Sequence, residues 1–425
     1  MSDTASREAG LRAAVLSVGS ELLLGDLTDS NATWISARLR ERGVDVVRHV
    51  AAPDDVASIV EALRWLATQC DLILVGGGLG PTSDDLTREA VAAALDVPLE
   101  LREELEDAIV ERFARMGRPM APRNRQQAFV PVGAVAALPV GTAPAFAVEL
   151  PVDGRSVRII ALPGVPWELH LLWEGFVVPQ LDELGADEVM LTRIVHVAGR
   201  GESDVASVVE PLLDGDGDVV LAFLAKQHGI QVRLTVRGRD VADARRRSQP
   251  ALDRVVAALG ESVSGIDDAD LETTVVGLLA ERGWTVATAE SATGGSIAAR
   301  LARVPGASAV LVGGIVAYGA SAKSALAGVD AGLVAREGTV SEATTRALAL
   351  AARATAGSDW GVAVTGVAGP STVDDLAVGT GFWAVAAPDG SCEVQGRIIP
   401  GDRSAIIQRL GSAALDLLRH RILAG

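Results

Sequence analysis

Short apolar runs alternate with amphipathic stretches of helical period through the first 170 or so residues. RAAVLSV (12–18), VDVVRHV (44–50) and DLILV (71–75) read as buried strands. Between them, DSNATWISARLRERG (29–43) and residues 54–69 carry apolar positions at helical spacing, with Asp29 or Ser30 as cap and Gly43 as stop. Strands separated by helices of this length predict a parallel, doubly wound α/β sheet. The unit closes near LPGVPWE (162–168). A different texture follows. Strand-like EVMLTRIVHV (188–197), a helix from about 203, VVLAFLA (219–225), IQVRLTVRG (230–238) and a helix at 240–259 predict a small α+β module that ends at the polar joint ESVSGIDDAD (261–270). The last part alternates again, with helix 271–283, strand 284–290, helix 293–303, strand 308–318 and helix 341–356. Strands 360–366, 378–387 and 393–400 and a helix from Asp402 complete it. The domains expected are therefore 1–175, 176–263 and 264–425.

Composition narrows the function classes. Of 425 residues 49% are hydrophobic and 22% charged, an ordinary globular balance. The formal net charge of −17 weighs against a nucleic-acid partner, which would call for a basic face. No apolar run is long enough to span a membrane, and the opening MSDTASREAG lacks a signal-peptide pattern, so no membrane partner is expected. Cys70 and Cys392 are the only cysteines, which excludes a disulfide framework and makes the cytoplasm the expected setting. Only Lys226 and Lys323 among 38 basic residues are lysine, and Tyr318 is the single tyrosine. A lysine kept where arginine is otherwise used points to a role that needs loss of a proton near neutral pH.

Two regions carry candidate chemistry. The glycine-rich run 76–80 lies at the carboxyl end of a strand, where ligands of open α/β sheets sit. Gly76, Gly77, Gly78 and Gly80 free backbone N–H groups for an anion, and Asp84 and Asp85 add hard oxygen ligands suited to a magnesium-type divalent cation. The alternative is a tight turn whose Asp84 or Asp85 only caps the helix at 86–95. No lysine follows the glycines, so this is not a Walker loop.

The second region is AESATGGSIAARL (289–301), which places Ser291 where a strand ends and Gly294 and Gly295 where a helix opens. A hydroxyl beside free N–H groups is what a nucleophile with an oxyanion hole needs. With His420 the only histidine of the last domain and near its end, a Ser–Lys pair is the available alternative, and Lys323 is the only lysine there. Tyr318 is placed to relay a proton or hold the lysine. TGVAGP (365–370) and GDR (401–403) add Thr365, Gly366 and Arg403 as ligand contacts. The competing view makes Ser291 or Thr293 a helix cap, Lys323 a surface charge, Tyr318 core and Arg403 solvated.

GSELLLGD (19–26), DSNATWIS (29–36), VGGGLGPTSDDLT (75–87), NRQQAFVPVGA (124–134), GTAPAF (141–146), LPGVPWE (162–168), GRGESDVA (199–206) and IQVRLT (230–235) resemble the CinA family, competence/damage-inducible protein A. AESATGG, YGASAK, TGVAGP, AVGT and GDR resemble its carboxy-terminal nicotinamide mononucleotide deamidase domain. The resemblance implies a molybdopterin-binding-like first domain that hydrolyses ADP-ribose with a divalent cation, Asp84 and Asp85 being the metal residues and Asn31, Gly77, Gly78, Gly80 and Thr82 the nucleotide contacts. In the last domain it implies deamidation without a cofactor, with Ser291 as nucleophile, Lys323 as base and Tyr318 as helper. Substrate contacts would be Thr293, Gly294, Gly295, Thr365, Gly366 and Arg403, with the oxyanion held by N–H groups from Thr293 to Gly295. Small nucleotides as substrates and a homodimer follow from the same resemblance. The loop STVDDLAVGT (371–380) departs from the family pattern, and its Asp374 and Asp375 are expected to oppose an anionic nucleotide. A binder of pterin or nucleotide without turnover is the alternative from another class.

Overall fold

The computed structural model describes residues 10–186, 188–226 and 229–425. The chain divides into two compact units, one running to Leu191 and taking in Arg237–Arg245, the other comprising Thr192–Val236 and Arg246–Gly425. The three segments expected from the sequence are thus distributed over two units, with most of the middle sheet in the same unit as the last domain.

The first unit is built on a six-stranded sheet in the spatial order Asp45–Ala52, Arg12–Val18, Leu72–Gly76, Arg155–Leu162, Phe146–Val152, Val135–Ala136. The first four strands are parallel. The last two run antiparallel, so the sheet is mixed where the sequence pattern predicted a parallel one. The reason is local. Asp153 and Gly154, at φ 50° and 81°, are the two residues that join Phe146–Val152 to Arg155–Leu162, too few for a parallel crossover and suited to a hairpin. Successive residues of the central strand bury on opposite sides. Ile73 and Val75 join a core with Ile59 and Leu63, and Leu72 and Leu74 join one with Ile35 and Trp173. Helices therefore cover both faces, and the loops beyond the strand ends are left for ligands.

In the second unit the strands Val219–Lys226, Gly229–Gly238, Val189–Val197 and Val263–Ile266 form a four-stranded sheet in that order. Helices Glu202–Leu213 and Val241–Leu259 cover it, contributing Val205, Val209 and Val255 to a core with Val195 and Val232. The chain order strand–helix–strand–strand–helix–strand is the split βαβ arrangement.

The five-stranded sheet runs Leu311–Val316, Val286–Glu290, Trp360–Gly366, Thr380–Ala386, Cys392–Ile398, three parallel strands followed by two antiparallel ones. Val362 and Val364 pack toward the closing helix Arg403–Ala424 through Leu410 and Leu418. Ala287 and Ala363 face the helix Glu342–Ala356 through Leu348 and Ala349. Small residues on that side let the helix lie close; the Cβ of a residue in place of Gly361 would meet the Ala349 carbonyl at 2.1 Å. Within the last domain the sequence pattern misses two short helices, Ala320–Ala325 and Ala331–Glu337, because segments this short show too few turns for a period.

One buried ion pair pins the helices under this sheet. Arg300 Nε lies 2.5 Å from Glu272 Oε1, and Arg300 Nη2 donates to Ser412 Oγ at 3.2 Å. Replacing Arg300 by Met would leave Glu272 buried and unpaired, so a loss of about 3 kcal/mol is expected from urea unfolding of the second unit. A loss under about 1 kcal/mol would show that Glu272 finds another partner.

Candidate active site

The carboxyl ends of two parallel strands meet at one point. Val286–Glu290 pairs with Trp360–Gly366, and the Ser291 N–H donates to the Val364 carbonyl at 3.0 Å, carrying Ser291 just past the sheet edge. Next to it, the residues that follow Leu311–Val316 lead into the helix Ala320–Ala325, which bears Lys323. A cavity of about 310 Å³ opens there, within the range of small-molecule sites. Ser291, Tyr318, Lys323, Gly366 and Arg403 line it, with Ala292, Val340, Val367 and Ala368 as apolar wall.

Lys323 is 1% exposed and its Nζ lies 2.9 Å from Ser291 Oγ. The same Nζ donates to the carbonyls of Ala317, at 3.0 Å, and Tyr318, at 3.4 Å. Among the described residues no carboxylate pairs with it. Burial disfavours the ammonium and lowers the Lys323 pKa from the ordinary lysine value of 10.5. A lysine in this state can accept the proton of the serine beside it.

Tyr318 contributes its backbone rather than its ring to this pair. Its carbonyl accepts from Lys323 Nζ, whereas its hydroxyl takes a hydrogen bond from Arg403 Nη2 at 2.6 Å. Arg403 Nη1 donates to the Gly369 carbonyl at 2.5 Å, so the guanidinium is held at the rim with charge to spare. Thr365 is not on the cavity wall. It is fully buried and its hydroxyl bonds to Thr345 Oγ1 at 2.7 Å, leaving Gly366 as the contact from that strand.

The N–H groups expected to hold an oxyanion are redistributed by a residue the sequence reading passed over. Glu290 is 1% exposed, and its carboxylate accepts from the N–H groups of Gly295, Ile297 and Ala298 at 3.0, 3.0 and 2.8 Å. The Gly294 N–H is bonded to the Ser291 carbonyl. Gly294 and Gly295, with φ 61° and 97°, therefore shape the turn and donate nothing to the cavity. Among the described residues the amides of Ala292 and Thr293 have no acceptor, and Ala292 lines the cavity. The only trace of Glu290's role in the sequence is an acid at a strand end a few residues before a helix start.

Asp374 and Asp375 lie outside the cavity wall, both in the left-handed region with φ 49° and 60°. Asp374 accepts from Thr339 Oγ1 at 3.2 Å, and it is Thr339 that faces the cavity. The two acids thus stand behind the wall, while Ser371 and Val373 of the same loop line the cavity.

In the first unit the glycine-rich loop is held from below. A Cβ at Gly77 would stand 2.4 Å from the Val18 carbonyl, and one at Gly78 2.3 Å from Thr87 Oγ1, so neither position admits a side chain. Asp85 accepts from the Gly80 N–H at 2.8 Å, the Thr82 N–H at 2.7 Å and the Thr82 hydroxyl, which commits it to the loop. Arg88, 2% exposed, donates to the carbonyls of Leu79 at 2.7 Å and Gly80 at 3.1 Å. Arg88 was not legible as a support because nothing in its spacing separates it from a helix-surface arginine. Asp84 is exposed, and hydrogen bonding from Thr82 holds its carboxyl below the usual range. Asn31 Nδ2 donates to the Gly164 carbonyl at 2.7 Å, which joins the helix Ser30–Glu41 to the loop at 162–168. Among the described residues no group of three or more His, Cys, Asp or Glu is placed to hold a metal.

A mixed-sheet domain with a glycine-rich loop, a split βαβ module and a second α/β domain with a Ser–Lys pair together define the class. Residues 14–183 match the family described as "Probable molybdopterin binding domain", 192–265 the "Damage-inducible protein CinA KH domain" and 268–422 the "CinA C-terminal domain". A CinA-like protein of Frankia casuarinae is 42% identical over 98% of this chain and 97% of its own length. One of Anaeromyxobacter dehalogenans is 40% identical over 96% of this chain and 99% of its own. The chain belongs to the CinA family. A solved structure of CinA from Thermoplasma acidophilum, whose function is described as unknown, is 32% identical and covers 40% of this chain and 98% of its own, with a TM-score of 0.36.

Replacing Glu290 by Ala strands three N–H groups, that of Ile297 buried and those of Gly295 and Ala298 half-buried, so a stability loss of about 2 kcal/mol is expected by urea unfolding. Glu290→Gln should recover part of it through the remaining carbonyl oxygen. Equal stability of Glu290→Ala and the parent would contradict the assigned role.

Proposed function

We propose that the last domain hydrolyses the carboxamide of nicotinamide mononucleotide, giving nicotinic acid mononucleotide and ammonia. The observation that carries this reading is the buried Lys323 Nζ at 2.9 Å from Ser291 Oγ, with no carboxylate on it among the described residues. Neutral Lys323 takes the Ser291 proton as Oγ bonds to the carboxamide carbon. The Ala292 amide, on the cavity wall directly after Ser291, is the donor suited to the oxyanion that forms. Lys323 then passes the proton to the amide nitrogen, the C–N bond breaks, and ammonia leaves an ester on Ser291. Water, deprotonated by the same lysine, cleaves the ester and restores the serine. Every group in this sequence belongs to the chain, the substrate or water. Arg403 at the rim is suited to the substrate phosphate, and the apolar wall from Ala292 to Ala368 to a flat pyridine ring.

A second reading concerns the first unit, hydrolysis of ADP-ribose. It rests on the side-chain-free approach at Gly77 and Gly78 next to exposed Asp84. With Asp85 committed to the loop, the donor set does not fit a cation held by the protein alone. It fits a magnesium ion shared with the phosphates of a substrate, Asp84 being the residue that would hold it. Such an ion would offset charge on the diphosphate.

Three outcomes are expected. Ammonia release from nicotinamide mononucleotide should persist with a chelator, and Ser291→Ala and Lys323→Arg should each lower kcat/KM by about a thousandfold, since arginine keeps its proton. Parent-like turnover by either variant contradicts the mechanism. In the parent, kcat/KM should rise with pH and level off at a pKa below 10.5, because only the neutral lysine accepts the proton and burial favours that form. Any release of ribose 5-phosphate from ADP-ribose should vanish on chelation and in Asp84→Ala; chelator-resistant release would remove Asp84 from that role.

A further inference from the structure

The other lysine of the chain lies on a different cavity. This cavity, of about 770 Å³, belongs to the second unit and is bounded by the turn at Gly199–Glu202, the end of the strand Val219–Lys226, the segment Gln395–Pro400 and one side of the closing helix. Arg200, Lys226, Arg397 and Arg409 line it, and all four are exposed. None of the four is in an ion pair among the described residues. Several other arginines of this unit are matched to acids, as Arg193 is to Asp267, Arg254 to Asp216 and Arg419 to Asp416.

The cavity holds two acids. Asp416 is engaged by Arg419 at 2.8 Å and faces His420 at 3.8 Å. Glu202 is exposed in the first turn of its helix. Neither approaches the four cations closely enough to pair. Arg397 lies over the Trp383 ring with its guanidinium carbon 5.4 Å from the centroid, and Arg409 donates to the Pro400 carbonyl at 2.5 Å, so two of the cations are held in place by neutral groups. Four like charges gathered around one space repel each other, and in a chain of net charge −17 their survival without counter-charge calls for an anion.

We propose that this cavity is a second anion site that takes a small phosphorylated molecule with a diphosphate group. Planar guanidinium forks suit phosphate oxygens, and Lys226 adds a compact point charge. The volume admits a nucleoside diphosphate, and Ile399 and Leu417 supply an apolar wall. A polymeric nucleic acid is disfavoured, because the cations ring one cavity and the acidic surface beyond would repel a continued strand. This gives Lys226 a role separate from the Ser291 site.

The test is titration calorimetry of the full chain with pyrophosphate, in chelator and with Arg403→Gln as background so that the Ser291 cavity does not contribute. A saturable component should be present, should weaken as salt is raised, and should weaken by at least about tenfold when Lys226→Gln and Arg397→Gln are added. Because both side chains are exposed, the doubly substituted chain should keep the parent's circular dichroism. ADP should compete with pyrophosphate for this component. Unchanged binding in the substituted chain, no saturable component at all, or tighter competition by a twelve-residue oligothymidylate than by ADP would each overturn the proposal.

Discussion

A lysine buried without a counter-charge is the constraint around which the last domain is arranged. Transfer of an ammonium from water to an apolar site is costly, and a carboxylate partner would meet that cost by fixing the charge. Among the described residues, Lys323 has two carbonyls and a serine hydroxyl as the hydrogen-bond partners of its nitrogen. That set stabilises the ammonium too weakly to hold it, so the balance moves toward the neutral amine. The carbonyls come from Ala317 and Tyr318, just past the strand Leu311–Val316, and the hydroxyl from the end of the neighbouring strand. The parallel register of those strands is therefore what fixes the nucleophile against its base.

Glu290 supplies the opposite case one residue away. It is as buried as Lys323, yet its carboxylate accepts three backbone N–H groups and needs no cation. By gathering the amides of Gly295, Ile297 and Ala298 it anchors the start of the helix Ser296–Ala302 and orients the turn that precedes it. The amides left over, at Ala292 and Thr293, stand immediately after the serine. One acid thus rigidifies the turn on which the nucleophile depends, and selects which donors remain for the reacting oxygen.

Elements buried on a full face, such as those holding Leu72–Val75 and Leu348–Ala352, were legible in the hydrophobic pattern, whereas the strands Phe146–Val152 and Arg155–Leu162 and the helix Glu103–Arg115 were not read from it. The direction of Phe146–Val152 was recoverable from Asp153-Gly154, a hairpin signal that the wider alternation of strand and helix masked. Within the site, Ser291 and Lys323 stood out through rarity and position, and the structure brings them together. The places of Thr365, Gly294 and Gly295 were not legible, because a motif records which residues are present and not whether a hydroxyl or amide is already bonded. Thr365 bonds to Thr345, twenty positions away and unmarked in the pattern. The same holds for Asp85, whose spacing fits a metal ligand as well as a loop clasp; the Gly80 and Thr82 donors decide for the clasp.

The protonation state of Lys323 is the claim on which the chemistry turns, and the sequence makes it unusually accessible. With Lys226 and Lys323 the only lysines, a protein labelled with ¹⁵N at the lysine side chains gives two resonances, and Lys323→Met identifies one by its loss. Followed against pH, the Lys323 nitrogen should titrate below the ordinary value of 10.5, with its neutral form gaining as pH rises through the range where activity appears. Titration at or above 10.5 would mean that the buried nitrogen stays charged beside Ser291, and that it cannot be the base.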